Sequence, residues 1–211
     1  MSEHRALLPV VLTGRFVRLE PVTLAHVPGL DAAASEDRAT YDWTPVPDGE
    51  AAHRRYVENM MSEHAAGCRL AFATIRRDVG RPENDRVVGT TSYLDPQRWP
   101  GGGGRLDSIE IGSTWIGASA QRTVVNSEAK LLMLAHAFDV MGVHRVVLNT
   151  DARNARSRTA IARIGATFEG VLHGFRYGVE GTPRDTATFA IRASEWPEVR
   201  ARLETRVSAP A

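Results

Sequence analysis

The chain has 211 residues, 43% of them hydrophobic, and its formal net charge is +1. This suits one globular domain with a substantial core, and the mixture of 26 basic and 25 acidic residues argues against a nucleic-acid binder. The single cysteine, Cys68, excludes an internal disulfide and favours a reducing compartment. No secretory leader or bilayer-spanning apolar stretch is visible, so we expect a soluble cytoplasmic protein without a membrane partner.

The first elements are a strand and two helices. Residues 15–22 alternate between apolar and polar side chains, which predicts a strand, and a helix is predicted over residues 24–34. A second helix fits residues 50–65. The segment between the helices, residues 41–47, is an aromatic loop that carries two prolines.

Three strands follow. Residues 69–76 and 87–94 flank a polar turn and predict a hairpin. After a loop with four consecutive glycines, residues 108–116 alternate again, with Ile109 and Ile111 on one face. The opposite face carries Ser108, Glu110, Gly112 and Thr114.

The remaining elements are predicted as a helix over residues 127–141, a strand over 144–150, a helix over 154–164, strands over 168–177 and 186–192, and a helix over 195–204 that Ser194 would cap. This order predicts a mixed α/β (α+β) plan in one domain over residues 1–211. Residues 1–13 would form an N-terminal arm, and residues 194–211 a C-terminal helix and tail.

Glu110 is the first candidate for chemistry. A mid-strand carboxylate on the face opposite the isoleucines is able to face a cleft, where its ionised form takes a proton directly or through one water. The competing interpretation is an ordinary solvated strand glutamate.

Two helix starts are candidate binding sites. Before the helix at residue 127, a small polar turn offers unpaired N–H groups and a partial positive charge to an anion, although it carries Val124 and Val125 where glycine is usual. In the next helix, Asn154 and Ser157 are one turn apart and share a face. Asn154 is also a natural helix cap, and Arg156 suits either a phosphate or a solvated face.

Other classes of site are not indicated. The seven histidines show no metal-ligand spacing, so we expect no metal, and neither a serine-hydrolase elbow nor a phosphate loop is present.

Several ordered segments together resemble one family, the GNAT superfamily of acyl-coenzyme A-dependent N-acyltransferases. The segments are SIEIGSTWI, AQRTVVNSEAK, HRVVLNTDARNARSR and AIARIGATFEGVL. LTGRFVRLEPVT near the start and GFRYGVEGTPRDTATFAIRASEWPEVRARLE at the end are similar to the branch that contains the ribosomal-protein N-terminal acetyltransferases. The resemblance implies a central, mostly antiparallel sheet flanked by helices, which splays open after the Glu110 strand to hold the pantetheine arm.

The resemblance implies acetyl-coenzyme A, or another acyl-coenzyme A, as cosubstrate. Its expected binding residues are Ile111, Trp115, Ile116, Gln121, Arg122, Thr123, Val124, Val125, Asn126, Ser127, Asn154, Arg156 and Ser157. The family pattern Q/R-x-x-G-x-G/A begins at Gln121, which agrees with it, whereas Val124 replaces its first glycine and Asn126 its glycine or alanine. If that position requires positive φ, the turn must differ from the family's, because a β-branched residue is disfavoured there.

The resemblance also implies the catalytic roles. Glu110 would accept a proton from the attacking amine, and Ser157 would hydrogen-bond or protonate the leaving thiolate. The acceptor is expected to be a primary amine on a small molecule or a protein N-terminus, and acyl groups longer than acetyl stay open. The residues expected to bind the acceptor are Asp42, Trp43, Tyr93 and Tyr177.

Two alternatives to an active acyltransferase stay open. One is a coenzyme A-binding module with little activity, which the missing glycine would favour, as would the absence near Ile161 of the tyrosine that serves many relatives as general acid. The other is a structural or interaction protein, which cofactor binding would exclude. The resemblance also suggests a homodimer.

Overall fold

The computed structural model describes residues 7–208. Its strands and helices are β1 (Leu12–Thr13), β2 (Val17–Pro21), α1 (Val27–Ser35), α2 (Glu50–Ala65), β3 (Arg69–Arg76), β4 (Arg86–Gln97), β5 (Ser108–Ile116), α3 (Val125–Ala135), β6 (Arg145–Asp151), α4 (Ala155–Ile164), β7 (Thr167–Tyr177), β8 (Pro183–Arg192) and α5 (Trp196–Ser208). Parts of the predicted N-terminal arm and C-terminal tail, residues 1–6 and 209–211, lie outside the described residues.

The strands form one sheet in the order β1-β2-β3-β4-β5-β6-β8-β7. Every neighbouring pair is antiparallel except β5 and β6, which run parallel and pair only from Ser108 with Arg145 to Glu110 with Val147. Beyond Glu110, β5 continues without pairing to β6, and the two strands diverge. The predicted mixed, mostly antiparallel and splayed sheet is therefore confirmed.

Helices cover both faces of the sheet, as the strand alternation requires. On β3, Phe72 belongs to the apolar cluster that contains α3 and α5 side chains, while Ala71 and Ala73 join a second cluster with α1 and α2. Because successive strand side chains point to opposite faces, the two clusters lie on opposite sides of the sheet. The side chain of Met133 in α3 is fully buried, as expected of a helix that packs against a sheet.

Several predicted boundaries need correction. The helix predicted over residues 127–141 begins two residues earlier, at Val125, and continues after Ala135 as a π-helical turn, His136–Val140. Ser194 does not cap the last helix, because it lies inside a 3-10 turn that begins at Ala193. The loop predicted from residue 41 is preceded by another 3-10 turn, Arg38–Tyr41. Short turns of this kind carry little apolar periodicity and are hard to predict.

Within residues 7–208, no helix combines the length and the apolar content needed to cross a bilayer.

Candidate functional site

A cleft of about 850 Å³ opens where β5 and β6 separate. Its walls come from β5, the turn after it, the start of α3, the end of β6 and the start of α4. This volume lies within the range of small-molecule and cofactor sites. The divergence of two central strands therefore builds the site.

Glu110 lies in the wall of this cleft at the last position where β5 pairs with β6. Its side chain is only 6% exposed. Oε2 accepts hydrogen bonds from Asn149 Nδ2 at 2.8 Å and from Arg176 Nη2 at 2.8 Å. A Cβ at Gly112 would stand 2.7 Å from Glu110 Oε1, so glycine leaves room for the carboxylate.

Burial and charge act on Glu110 in opposite directions. Burial raises the pKa of this carboxyl above its ordinary value, while Arg176 and the Asn149 amide favour the ionised form and lower it; the net direction is upward. Arg176 also donates to Asp95 Oδ2 at 2.7 Å. Glu110 is therefore a buried carboxylate that is more basic than an exposed one and is held by fixed donors.

The turn before α3 has a backbone that valine tolerates. Val124 adopts φ −66° and ψ −19°, an ordinary right-handed helical conformation, and α3 begins at the next residue. The positive φ of this turn, +60°, belongs to Arg122. The condition under which Val124 would be strained is thus not met. The Val125 N–H is bonded to the Thr123 side-chain oxygen at 3.3 Å, so the N–H groups that α3 offers to a ligand are those of Asn126 and Ser127, which have no acceptor within the helix.

Asn154 caps α4, since its Oδ1 accepts the Ser157 N–H at 2.9 Å. Both residues also line the cleft, so the helix cap and the wall of the cleft are formed by the same two residues. Arg156 donates to the Thr40 carbonyl oxygen and, at 3.4 Å, to Gln121 Oε1. The turn after β5 and the start of α4 are thereby tied to the 3-10 turn Arg38–Tyr41.

The structure brings most of the predicted site residues together. Those that line the cleft are Glu110, Ile111, Trp115, Ile116, Gln121, Arg122, Thr123, Asn126, Ser127, Asn154, Arg156, Ser157 and Trp43. Val124 and Val125 flank the helix start but do not line the cleft, and Val125 is 1% exposed and packs in the core. These two valines therefore offer a ligand their backbone at most.

Three predicted acceptor residues lie elsewhere. Tyr93 is fully buried, and its hydroxyl donates to the Met133 carbonyl oxygen at 2.6 Å. Because the ring packs beneath α3, Tyr93 does not contact an acceptor in the cleft, and this part of the prediction is corrected. Tyr177 is 76% exposed at the end of β7. Neither Asp42 nor Tyr177 lines the cleft.

Sequence reasoning missed Lys130 and Arg176, both of which line the cleft. The signal for Lys130 was its uniqueness, because it is the only lysine in the chain. Arg176 lies between two aromatic residues of β7, and the alternation of the strand gave a hint that its side chain faces the opposite side from theirs.

The side chains of the cleft suit a large anionic ligand. Its basic lining residues are Arg69, Arg122, Lys130, Arg156, Arg163, Arg176, Arg184 and Arg206, and its acidic one is Glu110. Guanidinium groups together with a helix start match phosphate oxygens. Hydroxyl and amide side chains of the same lining, such as Ser127, Asn154 and Ser157, add uncharged donors and acceptors. This donor and acceptor set fits coenzyme A, and the described residues hold no cluster of His, Cys, Asp or Glu suited to a metal.

A family model for the GNAT acetyltransferase domain matches residues 17–167. The chain belongs to the GNAT acetyltransferase family. As a member it is an acetyltransferase, and the predicted resemblance is confirmed. No curated protein matches the chain in sequence with significance.

Solved GNAT structures share the fold over nearly the whole chain. A structure from T. thermophilus, assigned as an acetyltransferase, is 33% identical with TM-score 0.78 and covers 94% of this chain and 97% of its own. Mycobacterium smegmatis RimJ, solved with CoA-disulfide, is 22% identical with TM-score 0.74 and covers 98% and 97%. RimL, a ribosomal L7/L12 α-N-protein acetyltransferase, is 18% identical with TM-score 0.71 and covers 88% and 95%. The last two show likeness of fold alone.

Proposed function

We propose that this GNAT enzyme transfers the acetyl group of acetyl-coenzyme A to a protein N-terminal α-amine, with Glu110 as general base. The observation that carries the proposal is the buried carboxylate in the wall of the cleft, held by Asn149 and Arg176 at 2.8 Å each. The amine attacks the thioester carbonyl directly, the C–N bond forms, the C–S bond breaks, and no covalent enzyme intermediate is needed.

The protons move through two residues in this proposal. Glu110 takes the proton that the amine loses, directly or through one water, and its raised pKa makes it a better base than an exposed glutamate. The Ser157 hydroxyl, in the cleft wall at the start of α4, donates to the leaving thiolate. Since Asn154 holds the Ser157 backbone, the position of that hydroxyl is set by the cap.

The ligand's charge supports the assignment of its binding residues. The pyrophosphate would meet the first turn of α3, with Arg122 and Arg156 as charged donors and the side chains of Gln121, Thr123, Asn126 and Ser127 around it. Ile111, Trp115 and Ile116 on β5 would flank the pantetheine arm. Val124 and Val125 contribute backbone only.

An α-amine is favoured over a lysine side chain as acceptor. Deprotonation at pH 7 costs about 1 kcal/mol for a pKa near ~7.7 but about 4.6 kcal/mol for a pKa near ~10.4. Trp43 and Tyr56 add aromatic side chains to the lining of the cleft, and the Arg153 guanidinium lies 4.0 Å from the Trp43 ring centroid. A fixed aromatic wall of this kind suits the first side chain of a peptide.

The alternative of a coenzyme A-binding module with little activity rests in part on the missing glycine. The right-handed helical backbone of Val124 removes that reason, because no positive φ is needed there.

The test is acetylation of two matched peptides, followed by mass spectrometry. One peptide has a free N-terminus and no lysine, and the other has a blocked N-terminus and one lysine. We expect the free α-amine to be acetylated far faster. Acetylation of the lysine peptide alone would refute the N-terminal acceptor. If neither peptide is acetylated, a peptide acceptor is refuted and small amines become the candidates.

Glu110→Gln tests the base in the same assay. It keeps the shape of the side chain and removes its basicity, so we expect kcat/KM to fall by about 10²- to 10⁴-fold while acetyl-coenzyme A affinity is retained. Glu198→Gln, a change at an exposed glutamate of α5, is the matched control and should be as active as the parent enzyme. Full activity of the Glu110 variant would exclude the general base.

A further inference from the structure

The only lysine of the chain lies in the cleft. All the other residues among the 26 basic ones are arginine, and most arginines that form ion pairs are partly exposed. Lys130, in contrast, is 5% exposed on α3 and lines the cleft. At this buried position in the wall of the cleft, the chain therefore has a compact ammonium group instead of a guanidinium.

The ammonium of Lys130 is held by two hydroxyl groups. Nζ donates to Thr114 Oγ1 on β5 at 2.8 Å and to Thr91 Oγ1 on β4 at 3.1 Å. The two hydroxyls also lie 2.8 Å from each other. An ammonium has three N–H donors, and within residues 7–208 the third has no hydrogen-bond partner.

No carboxylate among the described residues forms an ion pair with Lys130. On α3, Glu128 accepts the backbone N–H groups of Arg15 and Phe16 at 2.9 and 2.7 Å. On β5, Glu110 is bonded to Arg176, which also holds Asp95 of β4.

Other titratable groups lie on the elements around the ammonium, among them His136, just after α3, Tyr93 on β4, and Arg206 on α5. Tyr93 is hydrogen-bonded to Met133, and Arg206 donates to Ser127 Oγ at 3.0 Å. Burial lowers the pKa of the Lys130 ammonium to about 7. A buried cation with an unused donor and no counter-ion is costly unless a ligand engages it.

We propose that Lys130 is a binding residue for coenzyme A and donates its third N–H to an oxygen of the pantetheine arm. The position on β5 supports this choice: Thr114 lies between Glu110, where the thioester reacts, and Ile116, where the strand ends before the pyrophosphate turn. The part of the ligand that passes Thr114 is then the arm that joins the two. The inference rests on the proposed cosubstrate.

Proton linkage gives the inference a distinctive readout. An oxygen acceptor favours the charged form of the amine and disfavours the neutral form. Coenzyme A binding therefore raises the pKa of Lys130, and near pH 7.5 the protein takes up a fraction of a proton as it binds. An arginine would not do this, because it stays charged throughout.

The experiment is an NMR titration of protein labelled with ¹³C-lysine, in which the sole lysine gives one Cε–Hε signal that needs no assignment. Dephospho-coenzyme A is the ligand, because it lacks the phosphate monoester that itself titrates near pH 6. We expect a midpoint near 7 in the free protein and a rise of about one pH unit at saturation. An unchanged midpoint with bound ligand would overturn the inference.

Calorimetry of dephospho-coenzyme A binding to Lys130→Met and to the parent protein provides the matched comparison. Thr91 and Thr114 still hydrogen-bond to each other in this variant, so no hydroxyl loses its last partner. Measured at pH 7.5 in two buffers of different ionisation enthalpy, the parent should take up protons and the variant should not, with about tenfold weaker binding. Equal affinity and equal proton uptake would contradict the role of Lys130. Absence of binding by the parent protein would instead refute the proposed function itself, and the labelled parent decides the question if the variant fails to fold.

Discussion

Glu110 has two properties that its proposed role as general base requires. Its burial makes the carboxylate more basic, and its hydrogen bonds to Asn149 and Arg176 keep it ionised and oriented. The bond from Arg176 matters for pH dependence, because this cation opposes the effect of burial on the Glu110 pKa.

Arg176→Gln should therefore shift the acid limb of the kcat/KM profile. Loss of the guanidinium leaves burial opposed only by Asn149, so the pKa of Glu110 rises further and the ionised base is lost at a higher pH. We expect the limb to move upward by about one pH unit. Arg200→Gln, at a surface arginine of α5, is the control. A limb that stays in place would show that Arg176 does not set the Glu110 pKa.

Lys130→Met makes a separate prediction about stability. The pKa of this lysine falls from about 10.4 unfolded to about 7 folded, so its cost to folding is complete below pH 7 and declines as pH rises toward 10. The variant should exceed the parent's free energy of unfolding by on the order of 2 to 4 kcal/mol at pH 6, and by less at pH 9. Urea denaturation at both values measures this, and a gap that widens with pH would contradict it.

At this scale the sequence predicts some roles and misses others for a physical reason. Alternation along a strand places Glu110 opposite the isoleucines, and helical spacing pairs Asn154 with Ser157. The same rules cannot tell which face of β4 lies beneath α3, which is why the prediction that Tyr93 binds the acceptor is wrong and the ring lies in the core. Lys130 was missed because its role depends on Thr91, which is distant in sequence.

In the turn from β5 to α3, the residue type at a motif position does not reveal the backbone conformation there. The family's glycine is replaced by Val124, yet the backbone there is right-handed, and the positive φ falls on Arg122. A sequence pattern indicates the presence of a helix start and its donors, whereas the φ of each turn residue depends on how the turn packs.

Val124→Gly should leave coenzyme A affinity unchanged, because this side chain does not line the cleft. Its cost falls on stability: glycine at a right-handed helical position loses more chain entropy on folding, by about 0.5 to 1 kcal/mol. Calorimetric affinity and urea denaturation on one preparation test both parts. Tighter binding by the variant would show that valine crowds the pyrophosphate.

For the whole molecule, the order of helices and strands from β2 onward followed from the sequence, whereas the two-residue β1 in the predicted N-terminal arm and the order of strands in the sheet did not. Local periodicity predicts where helices and strands occur, and several boundaries agree, such as α2 at Glu50–Ala65 and β5 at Ser108–Ile116. The placement of β8 between β6 and β7 depends on pairings between distant segments, which periodicity does not encode. The divergence of β5 and β6 was predicted from the family resemblance and not from periodicity. The domain limits at residues 1 and 211 and the homodimer stay predictions.

Charge is also distributed unevenly over the whole molecule. The net charge is +1, yet basic side chains dominate the lining of the cleft, with Glu110 as its acidic group. Such a cleft attracts a polyanion in a way that added salt screens. The near-neutral total therefore conceals the feature that bears most directly on the ligand.

Binding of acetyl-coenzyme A in this cleft is tested most directly by isothermal titration calorimetry. We predict one site per chain. The affinity should fall when salt is raised from about 50 to about 500 mM, because salt screens the attraction between the basic cleft and the anionic ligand. The Val124→Gly and Glu110→Gln proteins should show the same affinity as the parent. Absence of measurable binding at low salt in folded protein would contradict the account.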